Sequence, residues 1–334
     1  MNLRLKFILS ITLCFFLLTS CSMSEAARTL LPANHYLQYM EHLNPDISEM
    51  DELFYQENDL DNDGNMEIIA AFGHKYTDEN EIAACFVLRN NDGKIQLVGK
   101  DFCIEGYWPA AMQLVKFTGS DQTYIAVNVT NGLNLNGLYI YEVNGNRVNH
   151  IGGKASATGA GNTYLDNKLN DGSYGGFTYS QWSYDVLYYP VTTFYSFQNG
   201  AFVQQTSIVD VRDYPESPAD AVIQWLSLKE LSQNYNSDDI KTRLNEIGGN
   251  VDHNMSNIDW YSALFNYIMD FEPSNEDYQN TFMNVNETTK GQTSTIAVSV
   301  TDQDNKELTA VTFSLSLCDG KWHIDSINAA SKML

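Results

Sequence analysis

Three tight turns, each with Asp-Gly or Asn-Gly between alternating apolar residues, recur through the middle of the chain at Gly93, Gly145 and Gly200. They lie in FVLRNNDGKIQLVG, LYIYEVNGNRVNHIG and FYSFQNGAFVQQTSI, spaced 52 and then 55 residues apart. Such turns need φ > 0 and are the strongest short hairpin signal. A fixed period of this length means one small sheet per unit. A sheet that cannot bury its faces alone must stack on its neighbours. The 20 Tyr and 21 Gly of the chain suit strands and turns.

A second landmark precedes each hairpin. DLDNDGNME over 59–67 leads into the first, TGSDQ over 118–122 into the second, and NKLNDGSYG over 167–175 into the third. Gly64 to Gly93 is 29 residues and Gly172 to Gly200 is 28. Each unit then reads as a loop, two strands, a tight turn and a third strand, with a fourth strand at the junction.

DLDNDGNMEII resembles the acidic loop of FG-GAP repeats, also called VCBS-type repeats, of integrin-like β-propellers. The likeness covers residues 51–211, about half the chain. It implies a mainly β fold: a partial, propeller-like β-repeat domain of about three units over 51–213, fewer than the four to eight blades of usual propellers. The later copies degenerate, with Leu169 and Gly175 standing where ligands belong.

The acidic loop has a chemical reading of its own. Asp59, Asp61 and Asp63, at positions one, three and five, can converge on a hard cation because Gly64 lets the loop fold tightly. Asn65 would add its backbone carbonyl and Glu67 a carboxylate. An EF-hand would place Glu at the twelfth position, where Ala70 stands. A structural calcium ion is the expectation, against a solvated acidic turn held by its own hydrogen bonds.

Pro215 and Pro218 end the β pattern. Helices are predicted over 219–235, with Ser217 as cap and Pro218 at its first position, then after Ser237 to a stop at Gly248-Gly249, and over 259–271. Strands follow over 278–288, 293–301, 308–317 and 321–327. This order predicts a smaller α+β domain over 214–334, folding separately from the repeats. It resembles the cystatin-like cone of nuclear transport factor two-like domains.

The N-terminus reads as an address. Arg4 and Lys6 precede an uncharged apolar run over 7–19, the layout of a secretory signal. Leu18-Thr19-Ser20-Cys21 resembles the lipobox of bacterial lipoproteins. That likeness implies a signal peptide over 1–20, lipid on Cys21 as the membrane anchor, and an extracytoplasmic place in a bacterial envelope. Residues 21–50 would be a linker with a short helix. Cys85, Cys103 and Cys318 remain; the first two form a disulfide with an offset in the hairpin, or all three are buried thiols.

With 42 Asp and Glu against 19 Lys and Arg, a net charge of −23 argues against a nucleic-acid partner. No His pair has metal-ligand spacing, and neither a nucleophile elbow nor a phosphate loop occurs. Tyr107, Trp108, Tyr179, Trp182 and Tyr184 are candidates for stacking on a sugar or anchoring a protein; the alternative is that alternate rings are core. The reading is a non-catalytic binding or adhesion module for a glycan or envelope protein. The competing readings are a glycan-processing enzyme with loop carboxylates and an accessory subunit of an envelope complex.

Overall fold

The computed structural model describes residues 33–329, apart from 78–79, 92, 105–106, 133–135, 156–160, 185–187, 250, 252–281 and 302–306. Helix α1 (Ala33–Leu43) and a 3-10 turn (Pro45–Glu49) lead into three successive antiparallel sheets. The first is β1 (Asp51–Asn58), β2 (Glu67–Lys75), β3 (Asn80–Asn91) and β4 (Lys94–Lys100). The second is β5 (Trp108–Val115), β6 (Tyr124–Thr130), β7 (Asn136–Asn144) and β8 (Arg147–Ala155). The third is β9 (Asn162–Lys168), β10 (Tyr174–Tyr184), β11 (Tyr188–Gln198) and β12 (Ala201–Gln204), with β13 (Ile208–Val209) also pairing β11. Helices α2 (Pro218–Asn234) and α3 (Asp238–Gly248) follow. A fourth sheet runs β14 (Phe282–Lys290), β15 (Thr293–Thr301), β16 (Glu307–Cys318) and β17 (Lys321–Ala329). The protein is mainly β, and none of the four sheets closes on itself.

The three repeat units superimpose in logic on the sequence period. Gly93, Gly145 and Gly200 turn the last hairpin of each sheet at φ of 83°, 58° and 81°. Gly64, Gly119 and Gly172 turn the first connection at 85°, 78° and 87°. Both sets lie in the left-handed region that side-chain-bearing residues avoid.

The sheets stack. Tyr36, Met40 and Ile47 cover one face of the first sheet through Ile68, Ala70 and Phe86. Its other face packs on the second through Ile69, Val87, Ile125 and Val127. The second packs on the third through Phe117, Tyr124, Ile140, Phe177 and Phe197. β2 and β6 are therefore covered on both faces. This is why EIIAAF and TYIAVNV read as apolar runs and not as alternation. Helix α1 covers the outer face of the first sheet, which would otherwise be left open to solvent.

Each unit also hooks the next. The Leu60 carbonyl accepts the Thr123 N–H at 3.0 Å, and the Lys116 carbonyl accepts the Tyr174 N–H at 2.8 Å. Leu60 and Phe117, each just past the first strand of its unit, are both 1% exposed at the two inter-sheet contacts. Their counterpart Leu169 is 46% exposed, and no fourth repeat receives it among the described residues.

At that end the helices take over. Ser217 caps α2 by accepting the Asp220 N–H at 3.1 Å, with Pro218 in the first turn. Leu228 and Leu231 of α2 and Ile240 of α3 pack on Tyr189, Val191 and Val209 of the third sheet and its edge. Val222 and Trp225, earlier in α2, pack with Val298, Val311 and Phe313 of the fourth sheet. Helix α2 thus belongs to two cores. The two expected parts meet through α2, which is apolar on more than one face. The predicted helix over 259–271 lies outside the described residues. The four C-terminal strands form the predicted meander, with β14 described from Phe282.

Candidate functional site

The connection between β1 and β2 gathers charge. Asp59, Asp61 and Glu67 each present one oxygen, and these lie within 4.8 Å of one another. Gly64 closes the loop by donating its N–H to Asp59 Oδ2 at 2.9 Å. The Asp63 N–H reaches Asp61 Oδ1 at 3.3 Å, and the Asn65 N–H reaches Asp63 Oδ1 at 2.7 Å. Main-chain donors therefore fix the direction of all three aspartates.

Glu67 has a second role beside the one its spacing suggests. It is fully buried, and both its oxygens are engaged. Oε2 accepts the Leu60 N–H at 2.9 Å, and Oε1 accepts Arg89 Nε at 2.5 Å. Arg89 is Glu67's direct cross-strand partner in β3. Its other nitrogens meet Asp61 Oδ2 at 2.7 Å and Asp63 Oδ2 at 3.5 Å. Glu67 is thus a brace that joins the loop to Arg89 before it is a ligand. Asp63, with a 37% exposed side chain, stands outside the tight group of three. Burial pushes the Glu67 carboxyl upward. Burial also opposes the charge on Arg89, but Glu67 and Asp61 outweigh it and hold the guanidinium above its ordinary value.

The sequence reading missed Arg89. The only signal was a basic residue inside the apolar strand FVLRNN, and its pairing with Glu67 required the β2–β3 register.

Arg89 pairs with three carboxylates, and Asp59 stands beside two of them, so the loop keeps excess negative charge. Asp59 Oδ1 is buried with no hydrogen-bond partner. An all-oxygen donor set with an unsatisfied buried carboxylate oxygen fits a hard cation such as calcium or magnesium, and not zinc. The sister loops do not gather acids. Asp171 accepts the Ser173 N–H at 2.9 Å and its hydroxyl at 2.7 Å, and these bonds hold the Asp171 carboxyl below the usual range. In the second loop Ser120 Oγ meets the Tyr124 hydroxyl at 2.8 Å.

The five candidate aromatics separate. Trp108 and Trp182 are 57% and 44% exposed. Tyr107 is half-buried against the core between the first two sheets. Tyr179 is corrected to a core residue: it shares a face of β10 with Phe177 and is buried between the second and third sheets. Tyr184 ends β10, and its side chain lies outside the described residues. Cys85 and Cys103 are both buried, their sulfurs 2.9 Å apart, while Cys318 is exposed. The Asp101 N–H binds the Cys85 carbonyl at 2.9 Å, the offset that folds Cys103 back onto β3.

A cleft of about 430 Å³ opens between the second and third sheets, beside the edge strands β5 and β9. Gln113, Asn128, Thr130, Asn136, Asn162 and Tyr164 supply its polar lining. No carboxylate is among the described residues that line it.

No protein-family model and no curated protein matches this chain. Among the described residues, no helix is long and apolar enough to cross a membrane. The lipobox-like residues up to Cys21 lie outside the described part.

Proposed function

We propose that the protein is a non-catalytic binding module of a bacterial cell envelope, lipid-anchored through Cys21, with a β-repeat stack braced by a calcium ion. One observation carries the choice of binding over catalysis. The clustered carboxylates at Asp59, Asp61 and Glu67 are tied to Arg89 and main-chain donors, with Asp59 Oδ1 left for the cation, while the cleft beside β5 and β9 is lined by amides and hydroxyls without a carboxylate among its described residues. Glycoside hydrolysis uses two carboxyl groups flanking the scissile bond. The cleft offers none among its described residues, which supports retention of a ligand over its cleavage.

The calcium would be held by Asp59, Asp61 and Glu67, with Asp63 and the Asn65 carbonyl closing the set from the outer side of the loop. It would supply positive charge where one arginine does not suffice. The loop also carries Leu60, which is plugged between the first two sheets. Ordering the loop therefore ties the metal to the stacking of the repeats.

The reading is tested by exposing the purified protein to isolated envelope fractions and to immobilised glycans, with product analysis of any glycan retained. Retention of an unaltered ligand supports it. Shortened glycan products, abolished by removing a carboxylate, contradict it. Acyl labelling of the wild type but not of Cys21→Ser tests the anchor.

A further inference from the structure

We infer that the cleft between the second and third sheets is the binding site, and that it takes a neutral, polyhydroxylated ligand of the hexose-oligomer class. This rests on the reading of the protein as a binding module and adds the site and the ligand chemistry.

The first observation is charge. The described lining consists of Ala, Gln, Asn, Val, Thr, Gly, Tyr and Leu, with no ionisable side chain besides tyrosine. In a chain with 61 Asp, Glu, Lys and Arg residues, a neutral cleft of this size selects against charged ligands: an ion entering it would lose hydration without gaining a counter-charge. Charge begins at the rim: Gln113 and Tyr174 also border a hollow holding Lys116, Lys168 and Asp171, and Asp166, two residues along β9 from Tyr164, is engaged with the Thr178 hydroxyl.

The second observation is the kind of polar group. Gln113, Asn128, Asn136 and Asn162 are exposed and make no side-chain hydrogen bond to another described residue. Each amide offers a donor and an acceptor side by side. Adjacent sugar hydroxyls, each both donor and acceptor, match that pair. Asn128 is the one exposed residue of β6, whose other six positions are buried. A lone amide on a covered strand is placed at the cleft by the fold and not by any packing need.

The third observation is a ring. Tyr164, on β9 opposite Thr178, is 46% exposed and lines the cleft. An exposed aromatic face suits the C–H face of a pyranose, while amides around it take the hydroxyl rim. The volume, about 430 Å³, lies in the range of small-ligand sites.

The test is titration calorimetry of the purified protein with cellohexaose, laminarihexaose and mannohexaose, and with a galacturonic acid hexamer as the charged counterpart. The expected result is saturable binding of at least one neutral oligomer, weakened roughly tenfold by Tyr164→Ala and by Asn128→Asp, and retained in Tyr164→Phe. Both positions are exposed, and unchanged melting curves will show that the three variants are folded. Binding that survives Tyr164→Ala and Asn128→Asp overturns the cleft but leaves the binding-module reading standing. So does preference for the charged hexamer, or capture of an envelope protein with no oligosaccharide bound. Failure to retain any glycan or envelope component overturns both.

Discussion

Arg89 and Glu67 face each other across β2 and β3, buried to 5% and 0% exposure, with Nε and Oε1 2.5 Å apart. The pair lies beneath the acidic loop. Arg89 is the only cation that the described residues place against these carboxylates. Removing one partner of a buried pair leaves a buried charge unmatched and costs about 3–5 kcal/mol. Arg89→Met is therefore expected to lower the melting temperature strongly in chelator. Calcium should restore more stability to this variant than to the wild type, since a competing cation has gone. Thermal melts of both proteins with calcium and with chelator check this. Equal calcium shifts would show that Arg89 and the metal do not share the site.

The sulfurs of Cys85 and Cys103 touch in the core between the first two sheets. In an oxidising compartment they are expected to be joined, adding about 3 kcal/mol by closing a loop of this length. Alkylation of the denatured, unreduced protein should label Cys318 alone, and peptide mapping should find Cys85 linked to Cys103. Labelling of all three would contradict the bridge.

Helix α2 joins the repeats to the fourth sheet. Leu228, fully buried against the third sheet, is expected to cost about 2–5 kcal/mol when cut to Ala. The whole protein should then unfold earlier in one transition. Two transitions, with only that of the repeats displaced, would favour separate domains.

Tyr214 donates its hydroxyl to the Trp322 carbonyl at 2.7 Å and so ties the segment before α2 to β17. Burial, then the nearby Glu246, raises its pKa to about 12. A folded-state value above the unfolded one, about 10, gives stability that is full below that pH and lost as pH rises toward 12. Alkaline titration followed by phenolate absorbance should show Tyr214 ionising late, together with loss of structure. Tyr214→Phe should shrink that late phase, which Tyr55 shares because burial and Glu57 push its phenol up as well, and cost about 1 kcal/mol at neutral pH.

Much of the fold was legible because turns carry their own chemistry. Gly93, Gly145 and Gly200 need positive φ, so they set the period before any strand was placed. Ser217 and Pro218 marked the start of α2 for the same local reason. What local pattern does not carry is contact between distant elements. That Tyr179 is core follows from which face of β10 meets the second sheet. That Arg89 sits among the acids follows from register. The cleft was not legible at all: Gln113, Asn128, Asn136 and Asn162 are unremarkable amides until stacking brings β5, β6, β7 and β9 together.

On the proposed reading, the Asp59–Glu67 loop braces the stack through a metal. With a dissociation constant of roughly 0.1 mM and about 2 mM free calcium, linkage adds about 1.8 kcal/mol. Scanning calorimetry of the purified protein in calcium and then in chelator measures it directly. The predicted result is a melting temperature several degrees higher in calcium, a shift removed by Asp59→Ala, largely lost in Asp63→Ala and unchanged in Asp171→Ala. Superimposable curves for the wild type in calcium and chelator would contradict the claim and leave Arg89 as the loop's only counter-ion.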